Sequence, residues 1–511
     1  MTTNDLRSCS SQTSQKSVPE MNRFGEKDIY ARARAVSPYS RGLILAPDGK
    51  TVLDPQPSNH PNDPLNWSRS KKHITLFTIT LISCLTDFGS AIGIPTVIPQ
   101  SYEWQRPPAE VQHSLSANIF CLGAGGFVAI QLSEYFGRLP VLLVFHTLGL
   151  ATGIWSGAAT SYDSYLAARV LNGLFSGVAQ SGGLMWIKEI YFSHEHPRMI
   201  NAWAGPVIVS PFIGPMLASF MMTTTSWRWP FWLYTILNAI ALVLAVLFLD
   251  EPLFDRETPN AERLDCGSRW QRLLGIPQWR SRHLRPGLLS CLARPLVILN
   301  KIPLLLILLW GYFNYAWVIG VNTTTAIWLT TIYHFQPVSL GCFYFAALVG
   351  VGLGQIGGHW LHDAIGRWFA ARHNGKIEPE ARLLLSYPAS ALMFVSLVIL
   401  GLALQNTWHY MVIAVFYGAQ LCGLEVAITA ISAFIVDAYP EVPGETGAWL
   451  ILVRTTGGFM ASYIQLPWVQ RDGAAVALGV QAAIGGFTTL LFLVLSFFGK
   501  QIRQWQGPVN V

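Results

Sequence analysis

Leu132-Ser133-Glu134-Tyr135-Phe136-Gly137-Arg138 follows a long apolar run directly and spells L-x-acid-x-x-G-R. The pattern returns as Leu361-His362-Asp363-Ala364-Ile365-Gly366-Arg367, again straight after an apolar run. A recurrence with identical internal spacing points to two similar halves, each a membrane bundle. Each copy reads as a tight turn between two spans. Gly137 and Gly366 can adopt backbone conformations that other residues resist. Arg138 and Arg367 would sit at the lipid boundary, on the side where positive charge accumulates. Glu134 and Asp363 offer each arginine, or a neighbouring helix end, a partner.

Outward from these corners, the 511-residue chain is 51% hydrophobic and only 12% charged. A soluble protein carries about 25% charged residues. The apolar residues come in blocks of the length that a bilayer core of about 30 Å requires of a helix. The fold class expected is an all-α membrane protein with twelve transmembrane helices in two pseudo-symmetric six-helix halves. The spans fall at about 74–98, 113–132, 140–158, 163–187, 199–221 and 230–249, then 302–326, 339–359, 384–404, 410–435, 446–467 and 473–498. The domains expected are a largely disordered tail over 1–72, a first half over 73–250, a middle loop over 251–301, a second half over 302–498 and a short tail over 499–511. The start, MTTNDLRSCS, lacks the apolar core of a signal peptide.

Twelve spans put both termini on one side. The loops assigned outside hold only Arg106, Arg228 and Arg471, while lysine and arginine crowd the others. Both termini are therefore expected in the cytosol, and the expected location is the plasma membrane. The net charge of +6 reflects this topology and not a nucleic-acid partner. The arginine-rich middle loop reads as a solvated linker lying against anionic headgroups. Seven scattered cysteines indicate neither a disulfide framework nor a zinc site. His194 and His196 make no complete metal set. No nucleotide loop and no nucleophile-base arrangement is present, so neither an enzyme nor a cofactor is expected.

Charge at mid-membrane costs about 2.5–3.5 kcal/mol on insertion scales, which makes such residues functional candidates. Asp87 lies near the middle of the first span and Glu425 near the middle of the tenth. Desolvation disfavours the charged form of a carboxyl, so each is a candidate proton carrier. Glu425 has no lysine or arginine within helical reach in sequence, so any partner must come from another span. Arg169, in the fourth span, stays charged under ordinary conditions; it either acts on a nearby acid or snorkels to the outer headgroups. For Arg454, near the inner end of the eleventh span, snorkelling is the expectation.

Two six-span halves, a basic middle loop and the repeated corner resemble the major facilitator superfamily, and within it the fungal twelve-span drug:proton antiporter branch. His60-Pro61-Asn62-Asp63-Pro64-Leu65-Asn66-Trp67-Ser68 resembles that branch's first segment. The corner at Glu134, Gly137 and Arg138 resembles its gating motif, as does the second copy at Asp363, Gly366 and Arg367. ARVLNGLFSG, with Arg169 and Gly173, is similar to the fourth-span motif, whose arginine is assigned to proton coupling. SPFIGP, with Pro211, Gly214 and Pro215, is similar to the fifth-span helix-packing motif tied to export. Tyr135 and Leu139 stand where the corner usually has basic residues. Ser210, Ala218 and Ser219 replace glycines of the fifth-span motif. LDEPLFDRE stands where the family has a Pro-Glu-Thr run.

The resemblance implies a cavity lined by the first, fourth, seventh and tenth spans. In the seventh, Trp310, Tyr312, Asn314, Tyr315, Trp317 and Asn322 are candidate substrate contacts. The implied function is proton-coupled efflux by a monomer in the lipid bilayer. The cargo would be a small amphiphilic drug, toxin or secondary metabolite, as in multidrug resistance and metabolite export. A proton-coupled importer of a small polar nutrient and a non-transporting membrane sensor remain as alternatives.

Overall fold

The computed structural model describes residues 53, 55–58, 60, 63–192, 195–254, 268–280, 287–372, 379–438 and 443–507. The chain divides into two compact units, Met1–Pro57 and Ser58–Val511. In the first, only residues 53 and 55–57 are described, and there the Gln56 side chain donates to the Leu53 carbonyl. Among the described residues of the second unit, all regular structure is helical.

It begins with a built turn, earlier than the expected end of the tail. Asp63 accepts hydrogen bonds from the Leu65 and Ser58 amides at 3.0 and 2.9 Å. Ser68 caps α1 (Arg69–Ala91) by accepting from the Lys71 amide. Residues 92–96 then form a turn containing Gly93 and Pro95, before the short α2 (Val97–Trp104). α3 (Pro108–Phe136) and α4 (Arg138–Ala158) follow. The fourth span is two helices, α5 (Tyr162–Ser176) and α6 (Val178–Ile190), divided at Gly177. α7 (His196–Met221) and α8 (Trp229–Phe248) complete the first half.

The described residues of the middle loop include α9 (Arg269–Leu273), α10 (Ile276–Arg280) and α11 (Leu288–Ile298). The second half comprises α12 (Ile302–Ile332), α13 (Pro337–Arg372), α14 (Ser386–Gln405), α15 (Tyr410–Ala438), α16 (Pro443–Asp472) and α17 (Ala474–Gln506). Ten helices among the described residues are long and apolar enough to cross a membrane. The other two expected spans are the divided α5–α6 pair and the more polar α16, so twelve crossings account for the chain.

The two halves repeat the same neighbours. In the first, α1 packs on α7 and α8, α5 on α3 and α4, and α4 on α8. In the second, α12 packs on α16 and α17, α15 on α13 and α14, and α14 on α17. The halves meet through α3 on α16 and α7 on α13, pairs that exchange under the same correspondence. Small residues permit the closest approaches. A Cβ on Gly173 would lie 2.3 Å from the Asn118 carbonyl oxygen of α3, and one on Gly350 would lie 2.2 Å from the Gly418 carbonyl oxygen of α15.

Two expectations change. The middle loop is not a solvated linker over residues 268–280. Trp279 stacks on Phe136 with centroids 5.7 Å apart, Gln278 is buried, and Arg269 donates to the Val246 carbonyl at 2.8 Å. α11 packs on α3 and α16, and Trp449 donates to the Pro295 carbonyl at 2.8 Å. The second L-x-acid-x-x-G-R copy is also not a corner. α13 continues through Gly366 to Arg372. The side chains of Asp363 and Arg367 lie outside the described residues.

Candidate functional site

A cavity of about 120 Å³ lies between the halves. Its walls come from α1 (Asp87, Ser90), α3 (Leu115, Ile119), α7 (Ile208, Pro211), α12 (Tyr315, Asn322), α15 (Leu424, Glu425) and α16 (Arg454, Thr455). The walls are mainly apolar, and three of the lining side chains carry ionisable charge: Asp87, Glu425 and Arg454.

Asp87 and Arg454 form an ion pair across the boundary. Arg454 Nη2 lies 3.0 Å from Asp87 Oδ1 and 3.2 Å from Oδ2. Gln180 of α6 donates to Asp87 Oδ2 at 2.6 Å. Asp87 is only 8% exposed, so these contacts replace its water. The Arg454 guanidinium also lies 5.8 Å from the Tyr315 ring centroid. Arg454 therefore points inward, and the snorkelling expectation is corrected. The desolvated carboxylate of α1 supplies a stronger partner than distant headgroups.

Glu425 is 4% exposed, and its Oε2 has no hydrogen-bond partner. It interacts electrostatically with Arg454 without forming an ion pair. α13 approaches it closely, since a Cβ on Gly354 would lie 2.7 Å from Glu425 Cβ.

Arg169 is fully buried, so it does not snorkel. Its Nη1 and Nη2 donate to the Gly89 and Ser90 carbonyls, each at 2.8 Å. Those carbonyls end α1, where the turn at 92–96 leaves them without helical partners. A cation there also complements the negative end of the helix dipole. The structure does not bring Arg169 into contact with the Asp87 carboxylate; it joins α5 to the backbone that carries Asp87.

Of the seventh-span candidates, Tyr315 and Asn322 line the cavity. Asn322 Oδ1 accepts from the Tyr417 hydroxyl at 2.8 Å. Trp310, Tyr312, Asn314 and Trp317 are not among the lining residues, which corrects their assignment to this cavity. Trp310 stacks on Phe492 and donates to Thr489, Asn314 donates to the Trp310 carbonyl, and Trp317 is buried in a hydrophobic cluster to which both halves contribute. Tyr312 packs edge-on against Phe313, and its backbone carbonyl passes close to Gly457. Residues 315, 318, 319, 322 and 323 share one helix face, and only that face meets the cavity. Gly214 sets α7 against α1, with a Cβ there 2.8 Å from the Phe88 carbonyl oxygen. Pro211 lines the cavity, and the Pro215 carbonyl accepts from Ser219 at 2.8 Å.

The first corner is a charged node at one end of the bundle. Gly137 has φ +102°, and a Cβ there would lie 2.8 Å from both Glu251 Oε2 and Gln278 Cγ. Glu251 accepts from the Arg138 and Leu139 amides, each at 3.0 Å, and so caps the start of α4. Arg138 Nη2 lies 2.7 Å from Glu189 Oε1 at the end of α6, and Glu134 adds negative charge nearby. Asp250 binds Lys71 at 2.5 Å and Arg272 at 3.5 Å. Asp250 and Glu251 of LDEPLFDRE thus tie together the start of α1, the 3–4 corner and the middle loop.

The sequence matches the Major Facilitator Superfamily over residues 76–462. The chain belongs to that superfamily. As a facilitator it is a transporter and not an enzyme. It is 28% identical to "MFS transporter cpaT" of Aspergillus oryzae, over 87% of this chain and 90% of that protein. It is 24% identical to "Efflux pump radE" of Floropilus chiversii, over 88% and 85% respectively. The solved structure of the proton:xylose symporter XylE has the same fold, with TM-score 0.61 and 13% identity, covering 86% of this chain and 97% of that one.

Sequence reasoning on this facilitator missed Gln180, Glu189, Asp250, Glu251 and the inward role of Arg454. For Gln180 a signal existed: a lone amide in an otherwise small and apolar run, AQSGG. The corner acids carried no signal of their own, because their partners lie on other helices.

Proposed function

We propose that the protein is a proton-coupled secondary transporter exporting a small amphiphilic compound by alternating access, from a plasma membrane with both termini cytosolic. The observation that carries this reading is the Asp87–Arg454 pair. It joins the two halves through charges that line the cavity. Protonation of Asp87 removes half of that tie. Arg454, half-buried and still charged, then needs another counter-ion, and Glu425 is the acid within electrostatic reach. Transfer of Arg454 from Asp87 to Glu425 loosens α1 from α16 and permits the halves to rock. Arg169 holds the end of α1 and so keeps Asp87 in register.

An efflux pump among the relatives supports the outward direction. Ile94, Leu115, Ile119, Ile208 and Leu424 make the cavity walls apolar, which fits an amphiphile better than a sugar. Purified protein in liposomes under an imposed pH gradient tests the reading. Transport driven by the gradient in the wild type and uncoupled in Asp87→Asn is expected. Gradient-independent transport, or unchanged coupling in Asp87→Asn, overturns it.

A further inference from the structure

The three ionisable side chains of the cavity do not balance. Asp87 receives two contacts from Arg454 and one from Gln180. Arg454 is thereby committed, and Glu425 is left 4% exposed with Oε2 unpartnered. With Asp87 and Arg454 cancelling, an ionised Glu425 leaves one negative charge against an apolar wall of Ile119, Val318, Ile319, Leu424 and Ile428. A buried carboxylate without a partner is costly. Cargo that completes the site brings one positive charge, a hydrogen-bond donor and an apolar body. We propose that Glu425 receives the cationic end of the cargo, and that this cargo is an amphiphilic monocation such as a protonated amine.

While Arg454 stays on Asp87, the described groups around Glu425 supply no second countercharge. From α16 comes Arg454, already paired; from α1, Asp87; from α12, the neutral Tyr315; and from its own helix, Cys422. α13 presents Gly354, which brings no charge. An anionic cargo meets the uncompensated carboxylate, and a neutral one leaves it unpaired.

This inference rests on the reading that the cavity is the transport site, but it does not require proton coupling. Its test is therefore binding to the full-length protein in detergent, with no gradient. Phenethylamine, phenethyl alcohol and hydrocinnamate share one skeleton and differ in charge. Near neutral pH the amine is expected to bind at least about tenfold more tightly than either of the others. Glu425→Gln is expected to abolish that preference by weakening amine binding to the level of the alcohol. A second measurement needs no variant: N,N-dimethylphenethylamine, a tertiary amine that cannot couple to an activated carboxyl, protects Glu425 of the wild-type chain from carbodiimide labelling read by mass spectrometry, and the alcohol does not. Equal binding of the three probes, absence of amine binding, preference for hydrocinnamate, or an amine preference that survives in Glu425→Gln overturns the proposal. Failure of gradient-driven transport with the amine preference intact would count against the proton-coupled reading alone.

Discussion

Asp87 and Arg454 are 367 residues apart in the chain and meet at 3.0 Å across the boundary between the two halves. Asp87 is buried and Arg454 half-buried, so the pair is held by geometry and not by chance proximity at a surface. Breaking a buried pair by removing one partner costs about 3–5 kcal/mol, because the other charge is stranded. Arg454→Ala is expected to lower thermal stability by that order and to abolish transport. Asp87→Asn combined with Arg454→Gln is expected to recover much of the stability but none of the coupling. Thermal unfolding in detergent and flux in liposomes separate the two effects; additive stability losses in the double variant contradict the pairing.

Arg169 offers a second check, because two donors in a fixed fork serve two adjacent carbonyls. Lysine keeps the charge but not the fork. Arg169→Lys is expected to retain the fold with a stability loss of about 1.5–3 kcal/mol, and to slow transport. Wild-type flux in Arg169→Lys would show that the end of α1 needs no clamp.

At the corner, Glu251→Ala removes the carboxylate that caps α4, with an expected cost of about 0.5–2 kcal/mol. Gly137→Ala adds a positive-φ penalty to a clash with Gln278 and Glu251. It is expected to be the more damaging of the two in thermal unfolding. The reverse order would mean that the backbone at 137 relaxes without cost.

The Glu103–Arg228 pair contributes a modest pH dependence. Arg228 Nη2 lies 2.7 Å from Glu103 Oε1. The hydrogen bond from Arg228 is the main cause holding the Glu103 carboxyl below the usual carboxylate range; burial opposes it, and a further bond from Trp227 adds to it. A depressed folded-state value means stability present above the unfolded value of about 4.3 and lost as pH falls through the folded one. Both side chains are partly exposed, so the contribution is at most about 1 kcal/mol. Glu103→Gln is expected to flatten the acid limb of a Tm-against-pH curve slightly; an unchanged limb removes the pair from the account.

Much of this was legible in residue order. Apolar blocks of bilayer length marked the spans, and Gly137 marked a corner that the backbone does make at φ +102°. Asp87 and Glu425 stood out because a bilayer makes isolated carboxyls expensive. The second corner misled, since helix formation through Gly366 leaves its L-x-acid-x-x-G-R pattern intact. The seventh span misled for a different reason: aromatic content says nothing about rotation, and a helix presents only one face to a cavity.

The sequence by itself determined that the chain is a membrane protein, that it has two matched halves, and which rare charges must be sheltered. Those follow from composition and length, because the bilayer acts on each segment independently. Only the tertiary structure decided that Arg454 answers Asp87, that Glu251 caps α4, and that Glu425 faces the cavity with an oxygen unpartnered. Those are contacts between segments far apart in the chain. They depend on helix rotation and register, which arise only when the spans pack together.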